Sequence, residues 1–356
     1  MISPLSNQSG KPVDWWFLYK LPMKIGPENN TTGFEFLYMD SSSTEGLSLS
    51  PIHLDHDQSA FGLTLKQVFS DDPDHGYVLW NDEIPPSTTV PNPVNVGTKG
   101  HSKGILAFCK KTNSAFYLLH STPRFPLKGQ LDLPEDEKKF GQTFLCVSLK
   151  DMDTANKLAE SIQMQVEAQV YDSLLPGIES TDAIYKLAKN EGFVAPSSTA
   201  KIDFLSAKGE KFTYIAKNKR WSEPPHGVQY GKDFWKDLVA PGLNCKLDVE
   251  TWRRGLVFGD STGRVAGETE DIVDLDFGKI GLTGYTWPFS KDHAKWGISI
   301  KSDPGYIIIA DINRQVSQEK RGGGGIAFQN TSLWKNLDAV EIIEKTIEDD
   351  PHHDVS

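Results

Sequence analysis

The chain has 356 residues, 38% of them hydrophobic and 24% charged, which is enough for one large domain or two ordinary ones around a real core. Its formal charge of -11, from 37 basic and 48 acidic residues, argues against a protein that binds nucleic acid at neutral pH through a broad basic surface, because phosphate neutralisation dominates such binding. Protonating all nine histidines would bring the charge from -11 to about -2, so nucleic-acid binding is expected to be easiest in acid.

We expect a soluble protein whose cellular location the sequence leaves open. No stretch approaches the roughly 18 to 20 uninterrupted apolar residues of a membrane span, and the first residues lack the basic region and apolar run of a signal peptide. A cytoplasmic location and export from a bacterial cell both stay open. The three cysteines, Cys109, Cys146 and Cys245, are an odd number without CxxC spacing, which indicates neither a disulfide framework nor a zinc site.

Strands dominate the predicted elements. Apolar runs rich in Val, Ile, Phe and Tyr recur along the chain with the alternating or continuous patterns of half-buried and buried strands. The clearest are residues 34–39, 104–109, 115–120, 144–149 and 306–311. Two other segments, 152–171 and 332–348, have apolar residues at spacings of three or four, which predicts one amphipathic helix to close each half of the chain.

A faint internal repeat suggests that the chain has two similar halves. Residues 101–121 contain an H-x-K motif, an apolar strand, a polar turn and a second strand, and residues 293–313 repeat this order. The stretch 194–201 combines Pro, Ser and Thr and is the best linker candidate. We therefore expect an N-terminal half of residues 1–193 and a C-terminal half of residues 194–356.

The two H-x-K motifs contain residue types that suit phosphodiester chemistry. On a strand, residues i and i+2 point to the same face, so each motif would present an imidazole beside an ammonium group. One imidazole can attack phosphorus and the other can protonate the leaving oxygen and later activate water, while the lysines stabilise charge on the non-bridging oxygens. This chemistry needs no metal. The residues concerned are His101, Lys103, His293 and Lys295.

A single H-x-K motif is a weak signal, because nine histidines and many lysines make chance matches common. A surface histidine at a strand end is the plainer interpretation of one copy. Two copies in the same strand, turn and strand context make the functional interpretation as reasonable as the plain one.

Eight segments, in the same order along the chain, resemble the deoxyribonuclease II family, whose members have the phospholipase D fold. The resemblance spans roughly residues 11 to 330 and is specific because of the number and order of the segments. They are VDWWFLYKLP (13–22), YVLWNDEIP (77–85), GHSKGILAF (100–108), LLHSTPRFP (118–126), FGQTFLCVSL (140–149), VETWRRG (249–255), DHAKW (292–296) and ADINRQVSQEKRGGGG (310–325).

The resemblance implies a fold and the residues of a site. It implies an α+β, phospholipase D-like protein with a mixed sheet and flanking helices, whose two similar halves form a pseudo-dimer with the catalytic groups between them. The family's two H-x-K motifs fall on His101 with Lys103 and on His293 with Lys295, and all four residues are intact.

Similarity to the wider phospholipase D group further implies a supporting polar residue on the strand that follows each motif. Ser121 and Asn313 each lie 20 residues after their histidine and are the matching candidates. Asp311, close to Asn313 in the sequence, would either orient an imidazole or lie at a solvated strand end.

The resemblance also implies a reaction. We expect endonucleolytic hydrolysis of double-stranded DNA without sequence preference, favoured by acid and requiring neither a divalent metal nor a cofactor, that leaves 3'-phosphate and 5'-hydroxyl ends. His101 is the favoured nucleophile and His293 the favoured general acid, because the first motif often has the nucleophilic role in related enzymes. The DNA would be contacted through its backbone. One chain would complete a site, so a homodimer is not required.

Two other functions share these motifs. A phospholipid-cleaving enzyme of the same fold would use the same chemistry, although no evident amphipathic segment for membrane binding is present. A catalytically silent relative would bind DNA without turnover, which the intact motifs disfavour. The chain lacks the signal peptide and disulfides of the animal family members, so their lysosomal location is not supported, and a bacterial or otherwise non-secretory relative is indicated.

Three further features have predicted roles. Trp15 and Trp16 are expected to pack in the core rather than to stack on bases. The RGGGG segment (321–325) is expected to form a flexible turn before the last helix rather than a phosphate cradle. The basic segments KNKRW (217–221) and WRR (252–254) are candidates for contacts with the phosphate backbone outside the site, or else solvated turns.

Overall fold

The structure, a computed structural model, describes residues 1–86, 99–189, 197–221, 232–253, 269–301 and 305–343. Within these ranges the chain has seventeen strands and six α-helices. The α+β class that the sequence predicted is therefore confirmed. The strands are β1 (Trp15–Lys20), β2 (Phe36–Asp40), β3 (Ser48–Leu49), β4 (His75–Asn81), β5 (Lys103–Cys109), β6 (Ser114–His120), β7 (Gln142–Leu149), β8 (Val170–Leu174), β9 (Thr199–Leu205), β10 (Lys211–Lys217), β11 (Leu247–Thr251), β12 (Thr269–Asp276), β13 (Thr286–Pro288), β14 (Lys295–Ser299), β15 (Tyr306–Ala310), β16 (Gly323–Gln329) and β17 (Glu341–Ile343). The α-helices are α1 (Ala60–Val68), α2 (Met152–Ser161), α3 (Ala183–Lys189), α4 (Ala240–Leu243), α5 (Val316–Glu319) and α6 (Thr331–Val340).

The described strands form two sheets. The first has eight strands in the order β3-β2-β1-β7-β6-β5-β4-β8, and each neighbouring pair is antiparallel. The second has nine strands, with the order β13-β12-β11-β14-β15-β16-β10-β9 and β17 paired to β12. It is mixed, because β11 and β12 run parallel.

The two sheets pack against each other through one shared hydrophobic core. The ring centroids of Trp15 on β1 and Phe328 on β16 lie 5.4 Å apart across this interface. Residues of β1 alternate between two cores, so Trp15 faces the second sheet while Trp16 lies under α1 on the outer face. Both indoles are buried, which confirms their predicted role in packing. Residues of α4 and the preceding π-helical turn (Trp235–Val239) cover the outer face of the second sheet.

The central strands of the two sheets correspond in position and in chain order. The order β1-β7-β6-β5-β4 in the first sheet is matched by β10-β16-β15-β14-β11 in the second. Register extends the match to single residues, because Lys103 at the start of β5 lies opposite Asn81, and Lys295 at the start of β14 lies opposite Thr251. The predicted strand, turn and strand unit is present in both copies.

Both predicted helices end earlier than their apolar spacing suggested. The segment 152–171 is helical only to Val166, its last turn being a π-helix, because Glu167 adopts a left-handed φ of 57° and the chain then joins β8. The segment 332–348 is helical only to Val340, after which β17 pairs with β12. Residues 344–348 of that prediction lie outside the described residues.

The predicted linker is only partly loop. Residues 194–196 of the stretch 194–201 lie outside the described residues, and Thr199–Leu205 is already strand β9, paired with β10. Among the described residues, no helix combines the length and apolar character needed to cross a membrane.

Candidate active site

The four H-x-K residues lie at equivalent ends of two strands. Lys103 and Lys295 begin β5 and β14, so only the lysines are in the strands and the histidines lie just before them. Both lysines are buried, while the side chains of His101 and His293 keep 14% and 15% of their surface exposed. After burial itself, the Lys103 ammonium is the largest of the charges that lower the pKa values of His101 and Lys295, and it also lowers that of His293. The structure therefore brings both motifs into one electrostatic environment.

The imidazole of His101 is oriented by the C-terminal part of the chain. Its Nδ1 forms a short hydrogen bond with the carbonyl oxygen of Asp311, and its backbone N–H donates to the carbonyl oxygen of Gly322 at 2.9 Å. Because a carbonyl can only accept, Nδ1 carries the proton and Nε2 of the neutral ring carries the lone pair. Burial, reinforced by Lys103, lowers the pKa of His101 well below its ordinary value. The neutral ring is therefore favoured.

Asp82 joins Lys103 of the first motif to Arg321, which lies just before β16 of the second sheet. Its carboxylate contacts the Lys103 ammonium, accepts from Arg321 Nη2 at 2.9 Å and lies 4.0 Å from His101 Nε2. Although burial works to raise the pKa of Asp82, the surrounding cations, Lys103 first among them, hold it well below its usual range. Asp82 therefore stays ionised and fixes the Lys103 ammonium. Sequence reasoning missed both Asp82 and Arg321.

The imidazole of His293 is oriented by the N-terminal part of the chain. Its Nδ1 lies 3.1 Å from Glu137 Oε2, and its backbone N–H donates to the carbonyl oxygen of Gly141 at 2.8 Å. The Phe140 ring stacks on it at a centroid distance of 3.7 Å and an interplanar angle of 13°, and Trp252 meets it edge-on at 5.0 Å. Burial lowers the pKa of His293, and the hydrogen bond with Glu137 opposes this shift.

The two histidines therefore share a pattern of crossed contacts, in which each imidazole and each backbone N–H bonds to a residue of the other sheet's side. The carbonyl acceptors Gly141 and Gly322 are themselves equivalent, since the residues that follow them lie opposite Lys20 on β1 and Lys217 on β10. Sequence reasoning could not reveal these contacts, because they join positions more than 150 residues apart, as in the 210-residue separation of His101 and Asp311.

Ser121 belongs to the hydrogen-bond network of His293, whereas the sequence predicted that it would support His101. Its hydroxyl donates to Gln142 Oε1, Gln142 Nε2 donates to Glu137 Oε2 at 2.9 Å, and the same Glu137 oxygen contacts His293. Arg124 reaches the other Glu137 oxygen at 3.3 Å. Ser121 thus lies two hydrogen bonds from Glu137, which was not predicted, and supports the His293 side of the site rather than the His101 pair.

The structural equivalent of Ser121 is Asp311, not Asn313. Ser121 exchanges hydrogen bonds with Thr143, whose N–H donates to its hydroxyl at 3.1 Å, and Asp311 exchanges the same bonds with Gly324, whose N–H donates to its carboxylate at 2.7 Å. Counting 20 residues from each histidine fails because the second hairpin is shorter. Burial raises the pKa of Asp311 to about 7.

Asn313 is buried, but within the described part of the chain no hydrogen bond or ion pair joins it to either histidine. Its side-chain oxygen has no hydrogen-bond donor among the residues that the structure describes. The matching of Asn313 to Ser121 is therefore corrected, and Asp311, the less certain candidate, is the residue that touches an imidazole, through its backbone carbonyl.

The glycine-rich segment is a strand rather than the predicted flexible turn. Gly323 begins β16. Glycine is required just before it, at Gly322, because another segment of the backbone approaches closely. A Cβ on Gly322 would lie 2.3 Å from the carbonyl oxygen of Val166, and one on Gly100 would lie 1.8 Å from the same atom. Since Gly322 accepts the backbone bond of His101, this contact sets the position of the first motif.

We expect Gly322→Ala to destabilise the protein by about 1 to 3 kcal/mol and to lower its activity, because the added methyl group would force the chain that anchors His101 away from Val166. Urea denaturation and a cleavage assay measure the two effects. Gly242→Ala is the matched control. Gly242 lies in α4, and its added Cβ would lie 4.0 Å from Cδ1 of Ile215, an ordinary contact distance. Equal stabilities of the two variants would contradict this account.

The predicted basic contacts to phosphate are wrong for Lys217 and Arg253. Lys217 is buried and donates to three carbonyl oxygens at the end of α5 and in the turn between α5 and β16. Arg253 donates to the carbonyl oxygen of Ile272, lies 3.6 Å from Asp271 and packs over the Phe289 ring. Arg254 lies outside the described residues.

Lys217 has an equivalent in the first sheet. Lys20, at the end of β1, is also buried and donates to the carbonyl oxygens of Glu137 and Lys138 at 3.1 and 3.2 Å. Each buried lysine thus stabilises a loop that leads to a crossed contact. The segment to which Lys20 donates carries Glu137, and the segment to which Lys217 donates leads to Gly322.

Comparison with known proteins gives one consistent family. A sequence model of the family described as Deoxyribonuclease II matches residues 6–346. "Putative deoxyribonuclease-2" of Burkholderia pseudomallei is 39% identical over 347 residues, which are 96% of this chain and 93% of the relative. Plancitoxin-1 of Acanthaster planci is 30% identical over 94% of this chain and 89% of its own length. Deoxyribonuclease-2-alpha of Rattus norvegicus is 28% identical over 92% and 90%.

Proposed function

Since the chain belongs to the deoxyribonuclease II family, we propose that it is an endonuclease that hydrolyses double-stranded DNA to 3'-phosphate and 5'-hydroxyl ends through a phosphohistidine. The observation that carries the proposal is the meeting of two histidines and two buried lysines, with each imidazole held at Nδ1 so that Nε2 is available. This set contains a nucleophile, a proton donor and two cations for a phosphate.

We also propose that the fold is phospholipase D-like, a pseudo-dimer of residues 1–193 and 194–356. The matched order and register of five central strands in each sheet support this arrangement. In such a pseudo-dimer the site lies between the halves and is complete in one chain, so a homodimer is not needed for the chemistry.

In the first chemical step, Nε2 of His101 attacks the phosphorus and the bond to the 5'-oxygen breaks. The hydrogen bond to the Asp311 carbonyl leaves the His101 lone pair on Nε2, and the low pKa keeps that lone pair free. His293, protonated and held by the Glu137 carboxylate, donates its proton to the departing 5'-oxygen. Lys103 and Lys295 stabilise the negative charge on the non-bridging oxygens.

In the second step, water hydrolyses the phosphohistidine. Nε2 of His293, now neutral, accepts a proton from the water, whose oxygen attacks phosphorus as the bond to His101 breaks. The product keeps the phosphate on the 3'-oxygen, and His293 is protonated again for the next cycle. Because the chain's own side chains supply each of these roles, the mechanism calls on neither a divalent metal nor a cofactor.

The test of this function is nicking of supercoiled plasmid at pH 5 in excess EDTA, followed by analysis of the new ends. We expect nicked and then linear DNA, with ends that a polynucleotide kinase can phosphorylate directly at the 5' side but that a polymerase cannot extend until the 3'-phosphate is removed. Loss of cleavage in EDTA, or ends of the opposite polarity, would reject the mechanism. Cleavage of liposome phospholipids without DNA cleavage would favour a phospholipase instead.

We expect a bell-shaped pH profile with its maximum on the acid side of 6.5. His293 must be charged to donate a proton and its pKa is lowered by burial, so activity falls as the pH rises through that value. Lys295, whose pKa burial and Lys103 lower to about 7, loses its charge in the same direction. His101 must be neutral, so activity falls again only in stronger acid, because its pKa is lowered further.

The measurement is kcat/KM for a short DNA duplex in EDTA from pH 3.5 to pH 9. The charge balance of the whole chain adds to the same trend, because protonated histidines offset part of the formal charge of -11 and so ease the approach of DNA. Activity that continues to rise through pH 9 would contradict the assignment of His293 as the proton donor.

A further inference from the structure

The residues that follow β4 and β11 occupy equivalent positions but differ in chemistry. Asn81 lies opposite Lys103 and Thr251 lies opposite Lys295, so the next residues along the chain, Asp82 and Trp252, are structural equivalents. Asp82 contacts the Lys103 ammonium and lies 4.0 Å from His101. Trp252 instead meets His293 edge-on, with ring centroids 5.0 Å apart. The two H-x-K motifs, alike in sequence, therefore have unlike surroundings.

The surroundings of His293 contain two aromatic rings. Phe140 stacks almost parallel on the imidazole, at 3.7 Å and 13°, and Trp252 closes a second side. Aromatic rings attract a cation through their negative faces, and this attraction is larger when water is excluded. Stacking on Phe140 therefore favours the charged imidazolium over the neutral ring.

Among the described residues, no aromatic ring packs on His101. Cations lie near it instead. Lys103 shares the Asp82 carboxylate with Arg321. Both cations lower the pKa of His101, and the Asp82 carboxylate opposes them. The Nδ1 partner of His101 is a neutral carbonyl, whereas that of His293 is the carboxylate of Glu137. The cations and the carbonyl partner favour a neutral His101, and the Glu137 carboxylate favours a protonated His293.

We propose that Phe140 and Trp252 are positioning residues that hold the His293 ring, and that the stacked face of Phe140 favours the protonated form of His293 and thereby makes it the proton donor of the pair. This inference rests on the proposed function and deepens it. The charged groups that face His293 are Glu137, which also favours protonation, and Lys295 and Lys103, which oppose it. The stacked Phe140 face adds to Glu137 against the two lysines.

The same rings also exclude water from His293, and exclusion of water alone favours the neutral imidazole. The two effects have opposite signs, so removal of a ring separates them. If the attraction between ring and cation dominates, its loss lowers the pKa of His293. If the rings act only by burial, their loss raises that pKa.

The experiment is a titration of the histidine side chains by NMR on protein carrying 13C-labelled histidine, without substrate. The His293 signal is assigned as the one missing from His293→Gln. We expect Phe140→Leu to lower the pKa of His293 by about 0.4 to 1.5, since the attraction is worth about 0.5 to 2 kcal/mol and 1.36 kcal/mol corresponds to one pKa unit. Phe140→Tyr keeps an aromatic face and should restore the wild-type value.

The matched control is Phe69→Leu, which removes a half-buried aromatic ring that packs on Tyr77 in the first sheet's outer core. We expect it to leave the His293 titration unchanged. A raised or unchanged pKa in Phe140→Leu, with normal folding shown by the other histidine signals, would overturn the proposal. Because the titration needs no turnover, this result is distinct from a failure of the nuclease activity itself.

A pH profile of cleavage gives the second readout. In Phe140→Leu the decline of activity on the alkaline side should move to lower pH by the same amount as the NMR value, while activity at the acidic plateau stays within a few-fold of wild type. A uniform loss at every pH with an unmoved profile would mean that the ring supports only structure, and would also overturn the proposal.

Discussion

Replacement of either His101 or His293 by alanine is expected to lower the rate of plasmid nicking at pH 5 by at least about 1,000-fold, because one change removes the nucleophile and the other the proton donor. The double variant should be no slower than the slower single variant, since residues that act as one catalytic unit do not contribute additively. Nicking rates in excess EDTA, measured with plasmid above its KM, provide the comparison.

His53→Ala is the control for these variants, because the His53 side chain is half-exposed and pairs with Glu35, which is not one of the H-x-K residues or their hydrogen-bond partners. It should cleave at the wild-type rate. Folding of the two active-site variants is checked by their urea denaturation, since both imidazoles form contacts between the two sheets. A folded His101→Ala or His293→Ala that keeps more than a tenth of wild-type activity would reject the two-histidine mechanism.

A second large effect distinguishes the two roles. With thymidine 3'-(4-nitrophenyl phosphate), whose leaving group departs without a proton, His293→Ala is expected to release about one nitrophenolate per enzyme in a fast burst and then to stall. The burst reports the attack by His101, and the stall reports the missing base for the second step. Stopped-flow absorbance measures the amplitude and the rate.

The His101→Ala variant supplies the contrast in the same assay. It lacks the proposed nucleophile, so it should show neither a burst nor steady turnover above background. A burst in His101→Ala and none in His293→Ala would reverse the roles. That outcome would leave the nuclease reaction intact but would contradict the assignment drawn from the Asp311 carbonyl and the Glu137 carboxylate.

The local elements of the fold were predictable because they follow from local patterns. The strands that carry the H-x-K lysines, β5 and β14, were visible as apolar runs, and so were β6 and β15, with which they pair. Helix ends were less predictable, because apolar spacing continues past the residues at which Glu167 turns left-handed and Glu341 joins a sheet. In both cases pairing with a distant strand ends the helix, and periodicity does not report that pairing.

The four H-x-K residues were identified from the sequence, and the structure brings them together, but their partners were largely missed. Asp82 and Glu137 lie in segments whose local pattern says only that a strand has ended or that a loop is acidic. Their significance comes from contacts with Lys103 and with His293. The assignment of Asn313 failed for a different reason, since a hairpin of different length shifts the count by two residues.

The crossed contacts have a consequence for the enzyme during its synthesis. The ribosome completes the first motif long before it adds the residues that anchor it, because Asp311 and Gly322 follow His101 by about two hundred residues. His293, in turn, arrives after its partner Glu137 but needs the second sheet to present it. A chain that ends before His293 therefore holds His101 without its second-sheet contacts and without the second histidine. On the proposed mechanism such a fragment would lack the proton donor, and cleavage would require the last strands to dock.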